Sequence, residues 1–322
     1  MTFVQQTDPA RLLRTLVAPP IAPNLYPDLD SWLPIHQSLM AKAESSIEVS
    51  ITTGLAADRA GWALASGYQA ALRMLLPALP RDAMVAMCIS EQGGNSPKAI
   101  ESTLTRVADG QLLLTGCKRW TTLGPASSIL LVAAREAIEA AAPKDQRARI
   151  RLVQIASDTP GVVLEQMPTL AFIPEVPHGQ PRFEAVKVSG DALLPGDGYD
   201  RYVKPFRSCE DVLVSAALLA YLLNQARLRQ WPHNWCERAI STLLAFASLS
   251  TLDPSAPATH LALAGTLAST GVLYEEANGL FSAGVQDEAA KRWTRDSALL
   301  RLAGPVRDQR ATRAWERLQQ GS

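Results

Sequence analysis

Two polar loops hold the residues of this chain best suited to chemistry. The first is Gln92-Gly93-Gly94-Asn95-Ser96, with Ser90 just before it; the second is Gly116-Cys117-Lys118-Arg119-Trp120-Thr121-Thr122. Loops of small polar residues let backbone N–H groups and hydroxyls reach the heteroatoms of a flat ligand. Trp120 offers a flat apolar wall and Thr122 a hydroxyl, a combination that suits a redox-active ring. Gly93, Gly94 and Ser96 permit a loop that approaches a phosphate or a substrate. The plain alternatives are a strand-end serine bonded to backbone, an ordinary turn and a packed tryptophan.

The elements that must position these loops are short strands. The apolar runs Met84 to Ile89 and Ile129 to Ala134 alternate poorly, which suits strands buried on both faces. Between them, Ser102 to Val107 and Gln111 to Thr115 flank Ala108-Asp109-Gly110, a hairpin signal. Arg151 to Ala156, Val162 to Gln166 and Pro181 to Val188 continue the strands, and Glu136 to Arg149 reads as an exposed insertion.

Helical patterns lie on either side. Asp8 and Pro9 read as N-cap and first position of a helix through residue 17. Pro19, Pro20, Pro23, Pro27 and Pro34 break the chain into a connector. Leu33 to Leu55 reads as one or two helices, and a further helix opens at Asp58-Arg59 and stops at Pro77. After Tyr202, segments near 206–229, 235–249, 258–282 and 286–319 read as four helices of a bundle.

Composition excludes several classes. The 322 residues are 47% hydrophobic and 19% charged, which is globular rather than disordered. Lys+Arg and Asp+Glu both total 31, so nothing argues for nucleic acid or an anionic membrane as partner. The longest apolar run, Val212 to Leu223, is too short for a membrane span. Cys88, Cys117, Cys209 and Cys236 form no CxxC pair, so neither a metal site nor a disulfide framework is expected. Reduced thiols and the missing apolar leader at the N-terminus point to a cytoplasmic protein. His36, His178, His233 and His260 are scattered and default to surface or satisfied core positions. Ser66, Ser96 and Ser127 lack a nucleophile-elbow context. Arg301, Arg307, Arg310, Arg313 and Arg317 read as a solvated or subunit-facing stripe.

Ile89-Ser90-Glu91-Gln92-Gly93-Gly94-Asn95-Ser96 resembles the T-E-P-G-A-G-S-D signature of acyl-CoA dehydrogenases, and Lys118-Arg119-Trp120-Thr121-Thr122 resembles their K-x-W-I-T-N signature. The intervening ADGQLLLTG is similar to the family's dGy.lnG, and RFEAVKVSGDALLPGDGYD to the segment that leaves its β-domain. The resemblance implies an α+β chain: an abridged N-terminal helical domain over 1–82, a central β-domain with flavin-binding loops over 83–195, and a C-terminal helical bundle over 196–322. It implies FAD as cofactor, held by Ser90, Ser96, Trp120 and Thr122, and an acyl-CoA or other acyl thioester as substrate. Electron-transfer flavoprotein is an implied acceptor. A homo- or hetero-oligomer is expected through the last helices, where Leu261, Ala264, Thr266, Leu267 and Leu273 form an apolar face.

The chain also departs from the family. Dehydrogenation of a thioester needs a carboxylate to remove the α-proton. Where many members carry a glutamate, in a yeGt motif, this chain has Leu302-Ala303-Gly304-Pro305. Other members place the base in an eR pair on the first C-terminal helix, which selects Glu210. The plain reading of Glu210 is a solvated acid at a helix start. The family's R..FG and GG.Gy segments, which reach FAD across a dimer, have no match. Three readings follow: an FAD-dependent acyl-CoA dehydrogenase with Glu210 as base, a catalytically silent subunit of a heteromeric dehydrogenase, and a flavin monooxygenase on the same fold.

Overall fold

The computed structural model describes residues 7–22, 24–107, 111–137, 149–301 and 304–320. The turn expected at Ala108-Asp109-Gly110 and most of the insertion after Glu136 lie outside them. The chain divides into two compact units: Met1–Arg81 with Leu170–Glu175 and Phe206–Ser322, and Asp82–Thr169 with Val176–Pro205.

The second unit is built on one sheet of eight strands among the described residues. In chain order they are β1 (Val85–Cys88), β2 (Thr103–Arg106), β3 (Leu112–Cys117), β4 (Thr121–Thr122), β5 (Ile129–Glu136), β6 (Ile150–Ala156), β7 (Val162–Gln166) and β8 (His178–Val188). The path runs β1-β5-β2-β3-β8-β4, with β6 on β5 and β7 on β8. β1 and β5 pair in parallel, Val85 opposite Ile129, and β1 is buried along its whole length as its unbroken apolar run requires. β2 and β3 pair antiparallel, as the hairpin signal implies. Ala86, Cys88, Leu104, Leu114, Leu130, Val132, Val153, Phe183 and Val186 fill the core on this sheet. β8 starts three residues earlier than the apolar pattern suggests, because β4 and β7 take up opposite edges of its polar first half.

The first unit is helical: α1 (Pro9–Val17), α2 (Leu29–Lys42), α3 (Ser46–Ala56), α4 (Ala60–Leu75), α5 (Lys204–Leu228), α6 (His233–Leu249), α7 (Pro257–Ala283), α8 (Glu288–Asp296) and α9 (Gly304–Gln319). Asp8 caps α1 and Pro9 occupies its first position, as expected. Pro34 does not end a connector; it lies inside α2. A reciprocal capping box between Asp28 and Ser31 starts that helix upstream, and the proline costs one intrahelical bond near its beginning. The pattern read as one helix over 286–319 is two, α8 and α9.

α5 is the axis of this unit. A Cβ on Gly67 of α4 would stand 2.7 Å from the Leu213 carbonyl oxygen, so glycine lets α4 press onto α5 backbone to backbone. Asn224 exchanges two hydrogen bonds with the backbone of Ile21, and Arg227 donates to the carbonyls of Leu16 and Val17 at the end of α1. Arg307 and Arg310 of α9 donate to Asp211, at 2.8 and 2.5 Å. Those two arginines therefore clamp α9 to α5 instead of forming a solvated stripe. Leu273 is buried within the unit, so it leaves the apolar face expected on α7, where Val272 is the exposed neighbour. The segment Leu170–Glu175 joins this unit through Ile173, whose N–H donates to Asp296 (2.7 Å), and Glu175, which pairs with Arg295 (3.1 Å). Gly61 leaves the room that the Glu175 carboxylate occupies. No helix among the described residues is long and apolar enough to cross a membrane.

Candidate functional site

In the central unit, both polar loops are tied together at their roots. The Arg119 N–H donates to the Ser90 carbonyl (2.8 Å), and the Lys118 N–H donates to the Pro181 carbonyl on β8 (2.8 Å). The Lys118 side chain is fully buried. Its ammonium donates to Glu91 Oε1 (2.5 Å), to the Ala133 carbonyl (2.5 Å) and to the Ile89 carbonyl (3.4 Å). The Glu91 carboxylate also accepts from the Glu101 N–H (2.8 Å), the Ser102 N–H (3.0 Å) and the Ser102 hydroxyl (2.8 Å). Gly116, at φ +150, makes room for Ser102 in this arrangement. Burial works to raise the Glu91 carboxyl, but Lys118 and the N–H donors outweigh it and hold it below its usual range. Burial pulls the Lys118 ammonium down, and Glu91 opposes that pull. A buried pair costs desolvation that only good geometry and full hydrogen bonding offset, and this pair has both. It fixes the first loop against the second.

On this base, Trp120 stands at φ +54, in the left-handed region that bulky residues avoid. Its N–H meets the Met167 sulfur at 3.1 Å, and the residue stays 44% exposed. An exposed tryptophan on a strained backbone is not the packed core residue of the plain reading. Thr121 points into the protein and Thr122 to the other side, as β4 alternation requires. Ser90 and Thr122 are half-buried, and neither hydroxyl has a partner among the described residues. Ser96 is exposed in the Gly-rich loop, beside Gly94 at φ +108. The unit thus brings Ser90, Trp120 and Thr122 onto one braced pair of loops. Sequence reading overlooked the brace and overlooked His178, which pairs with Thr122 across β4 and β8 and meets the Trp120 ring edge-on with centroids 6.4 Å apart. The only sequence signal for the brace was one charge of each sign at the ends of otherwise apolar strands.

Glu210 lies in the helical unit, in the second turn of α5 and not at a helix start, because α5 begins at Lys204 after a wide turn over Tyr199–Val203. It makes no hydrogen bond or ion pair among the described residues, whereas its neighbour Asp211 takes both arginines of α9. The residue keeps some exposed surface, yet its carboxyl is pushed up to about 7. Burial is the main cause, the Asp211 charge adds to it, and Arg307 and Arg207 oppose it. Such a carboxyl can take or give a proton near neutral pH. Gly304, which with Ala303 is one of the two positions that could align with the family's usual glutamate, opens α9. No group of three or more metal-ligating side chains occurs among the described residues.

Comparison with known proteins agrees with this architecture. The profile of the acyl-CoA dehydrogenase middle domain matches residues 86–186. A probable acyl-CoA dehydrogenase, FadE10, from Mycobacterium tuberculosis and Mycobacterium bovis is 30% identical over 130 residues. That match covers 39% of this chain and only 19% of the relative's length. Over the whole chain the likeness is one of fold. A structure described as an FAD-dependent dehydrogenase superposes with TM-score 0.68 at 15% identity, covering 99% of both chains. FMN-bound TdsC from Paenibacillus sp. A11-2 superposes with TM-score 0.65 at 14% identity, covering 87% of this chain and 82% of its own. The central domain thus matches the acyl-CoA dehydrogenase middle domain over residues 86–186, and the chain as a whole shares the acyl-CoA dehydrogenase fold.

Proposed function

We propose that the protein binds a flavin, FAD in the first instance, against Ser90, Trp120 and Thr122, with Ser96 in the neighbouring loop, and oxidises an acyl thioester between its α and β carbons. The observation that carries this reading is the braced pair of loops. Two unpartnered hydroxyls and an exposed indole are held in place by a buried ion pair, and an apolar packing role calls for none of that. The residues fit a flat polar ring: Trp120 would cover one face, and Ser90 and Thr122 would meet its heteroatoms. When bound, the flavin supplies the two-electron acceptor. The chain must supply a base for the α-proton, and Glu210 is the carboxylate whose raised pKa suits it. At pH 7 it is in part ionised, so it can accept a proton from a weakly acidic carbon without an external base. Electron-transfer flavoprotein as acceptor, a cytoplasmic setting and an oligomeric assembly belong to the same proposal.

The test is the visible spectrum of the purified protein reconstituted with FAD, followed by anaerobic addition of a series of acyl-CoA thioesters. A flavin band that bleaches with a thioester supports the dehydrogenase. A band that no thioester bleaches removes the dehydrogenase reading and keeps the flavoprotein. Ala303 and Gly304, neither of which can act as a base, favour that outcome in the form of a flavin monooxygenase. A protein that takes up neither FAD nor FMN leaves the silent subunit.

A further inference from the structure

His178 is a scattered histidine in the sequence, and the fold moves it into the braced loops. It sits directly opposite Thr122 in the antiparallel β4–β8 pair, so the two side chains share one face of the sheet. Its ring meets Trp120 edge-on at 6.4 Å. Its Nδ1 lies 3.0 Å from the Val176 carbonyl. A carbonyl only accepts, so Nδ1 carries the hydrogen and Nε2 is left with its lone pair. Its backbone is locked as well: the His178 carbonyl accepts from the Met167 N–H (2.8 Å). Ring orientation and tautomer are therefore both set before any ligand arrives. Burial holds the imidazole below its ordinary value, with Val176 opposing. The charged groups on the elements around it are Arg119 of the loop, Glu165 of β7, and Arg182 and Glu184 of β8. Arg182 pairs with both glutamates, and none of these charges contributes to the shift.

We propose that His178 is the hydrogen-bond acceptor of the flavin-facing surface, offering Nε2 to a ring N–H of the ligand beside the Trp120 wall and the Thr122 hydroxyl. This rests on the flavin reading. A neutral imidazole with a fixed lone pair favours a ligand that presents N–H at that edge. Protonation of Nε2 turns the acceptor into a donor and removes the interaction.

The test measures FAD and FMN affinity by flavin fluorescence between pH 5 and 8 for the wild type, His178→Ala and His178→Gln, with far-UV circular dichroism at each pH. Gln places its amide near the Nε2 position, so its oxygen can accept without titrating. In the wild type, affinity should hold through about 6.5, the unperturbed histidine value, and fall only at lower pH, because burial lowers the imidazole's own value. His178→Ala should bind about tenfold more weakly at pH 7.5, the worth of one lost hydrogen bond. His178→Gln should bind within about threefold of the wild type, with the inflection gone. Alanine and wild-type proteins of equal affinity, or a glutamine protein that keeps the wild-type inflection, overturn the assignment and leave the flavin reading standing. A wild type that binds neither flavin at any pH overturns both. If the alanine protein fails to fold, the glutamine profile alone decides.

Discussion

Replacing Lys118 with Met removes the ammonium from a site where three oxygens depend on it. Glu91 keeps its bonds from Glu101 and Ser102, but its charge is left buried without a counter-ion, and the Ile89 and Ala133 carbonyls lose a donor. Removing one partner of a buried ion pair costs about 3–5 kcal/mol. Glu91→Gln should cost a similar amount, because it strands the ammonium instead. Made together, the two changes remove both charges at once, so the double variant should lose no more than the worse single one, far short of the sum. The loss belongs to the central unit, so global melting is a blunt probe. Native-state hydrogen exchange of peptides covering β1, β2 and β5 reads that unit's own opening free energy. The Glu91 carboxyl is held below its unfolded value, so its share of stability is present above that value and is lost as pH falls through the lower folded one. The gap between wild type and Glu91→Gln should therefore close in acid. Exchange within about 0.5 kcal/mol of wild type in both single variants, or losses that add in the double, would refute the reasoning.

Other expectations are simpler to check. His36 is buried, stacks on Trp32 at 4.6 Å, bonds Ser66 at 3.0 Å, and is held at about 3, mainly by burial. Its folded value lies below its unfolded one, so stability should drop as pH falls from about 6.5 toward 3, by up to about 5 kcal/mol; His36→Phe should flatten urea midpoints over that window. If Glu210 is the base, the rate of flavin bleaching by acyl-CoA should rise with pH through about 7 in stopped-flow traces, and Glu210→Gln should lower it by ~10²-fold or more with FAD affinity intact. Trp120→Ala should weaken flavin binding yet change urea stability by less than about 1 kcal/mol, since the indole is exposed without ligand. Gly67→Ala forces a methyl against the backbone of α5 and should cost about 1–3 kcal/mol in thermal or urea unfolding.

Some of this was legible in the residues and some was not, for physical reasons. β1 and β5 announce themselves because strands buried on both faces need uninterrupted apolar runs, and α1 because Asp8 and Pro9 make an unambiguous start. Pro34 misled because a proline near the beginning of a helix forfeits little, while the capping box that overrides it lies upstream. The first strand residues of β8 were hidden because their order comes from β4 and β7, not from their own polar sequence. Ser90, Trp120 and Thr122 could be picked out as neighbours in motifs. The Glu91–Lys118 brace depends on side chains 27 residues apart meeting, and His178 on the register of a two-residue strand, and neither has a local signature.

The helical unit is assembled from three separate stretches of chain, and that sets a timetable for its birth on the ribosome. Leu16, Val17 and Ile21 find their partners only at Asn224 and Arg227, more than 200 residues later. Ile173 waits 123 residues for Asp296. At synthesis rates of about 5–20 residues per second, the first helices spend on the order of 10–40 s without α5. During that interval the apolar faces of α3 and α4 have no axis to cover them, while the strands of the central sheet emerge one after another, all of them ahead of α5. A ribosome stalled far enough past Val188 for β8 to clear the exit tunnel, with α5 still inside it, should therefore carry a nascent chain whose sheet resists protease and whose first 81 residues are cut or held by a chaperone.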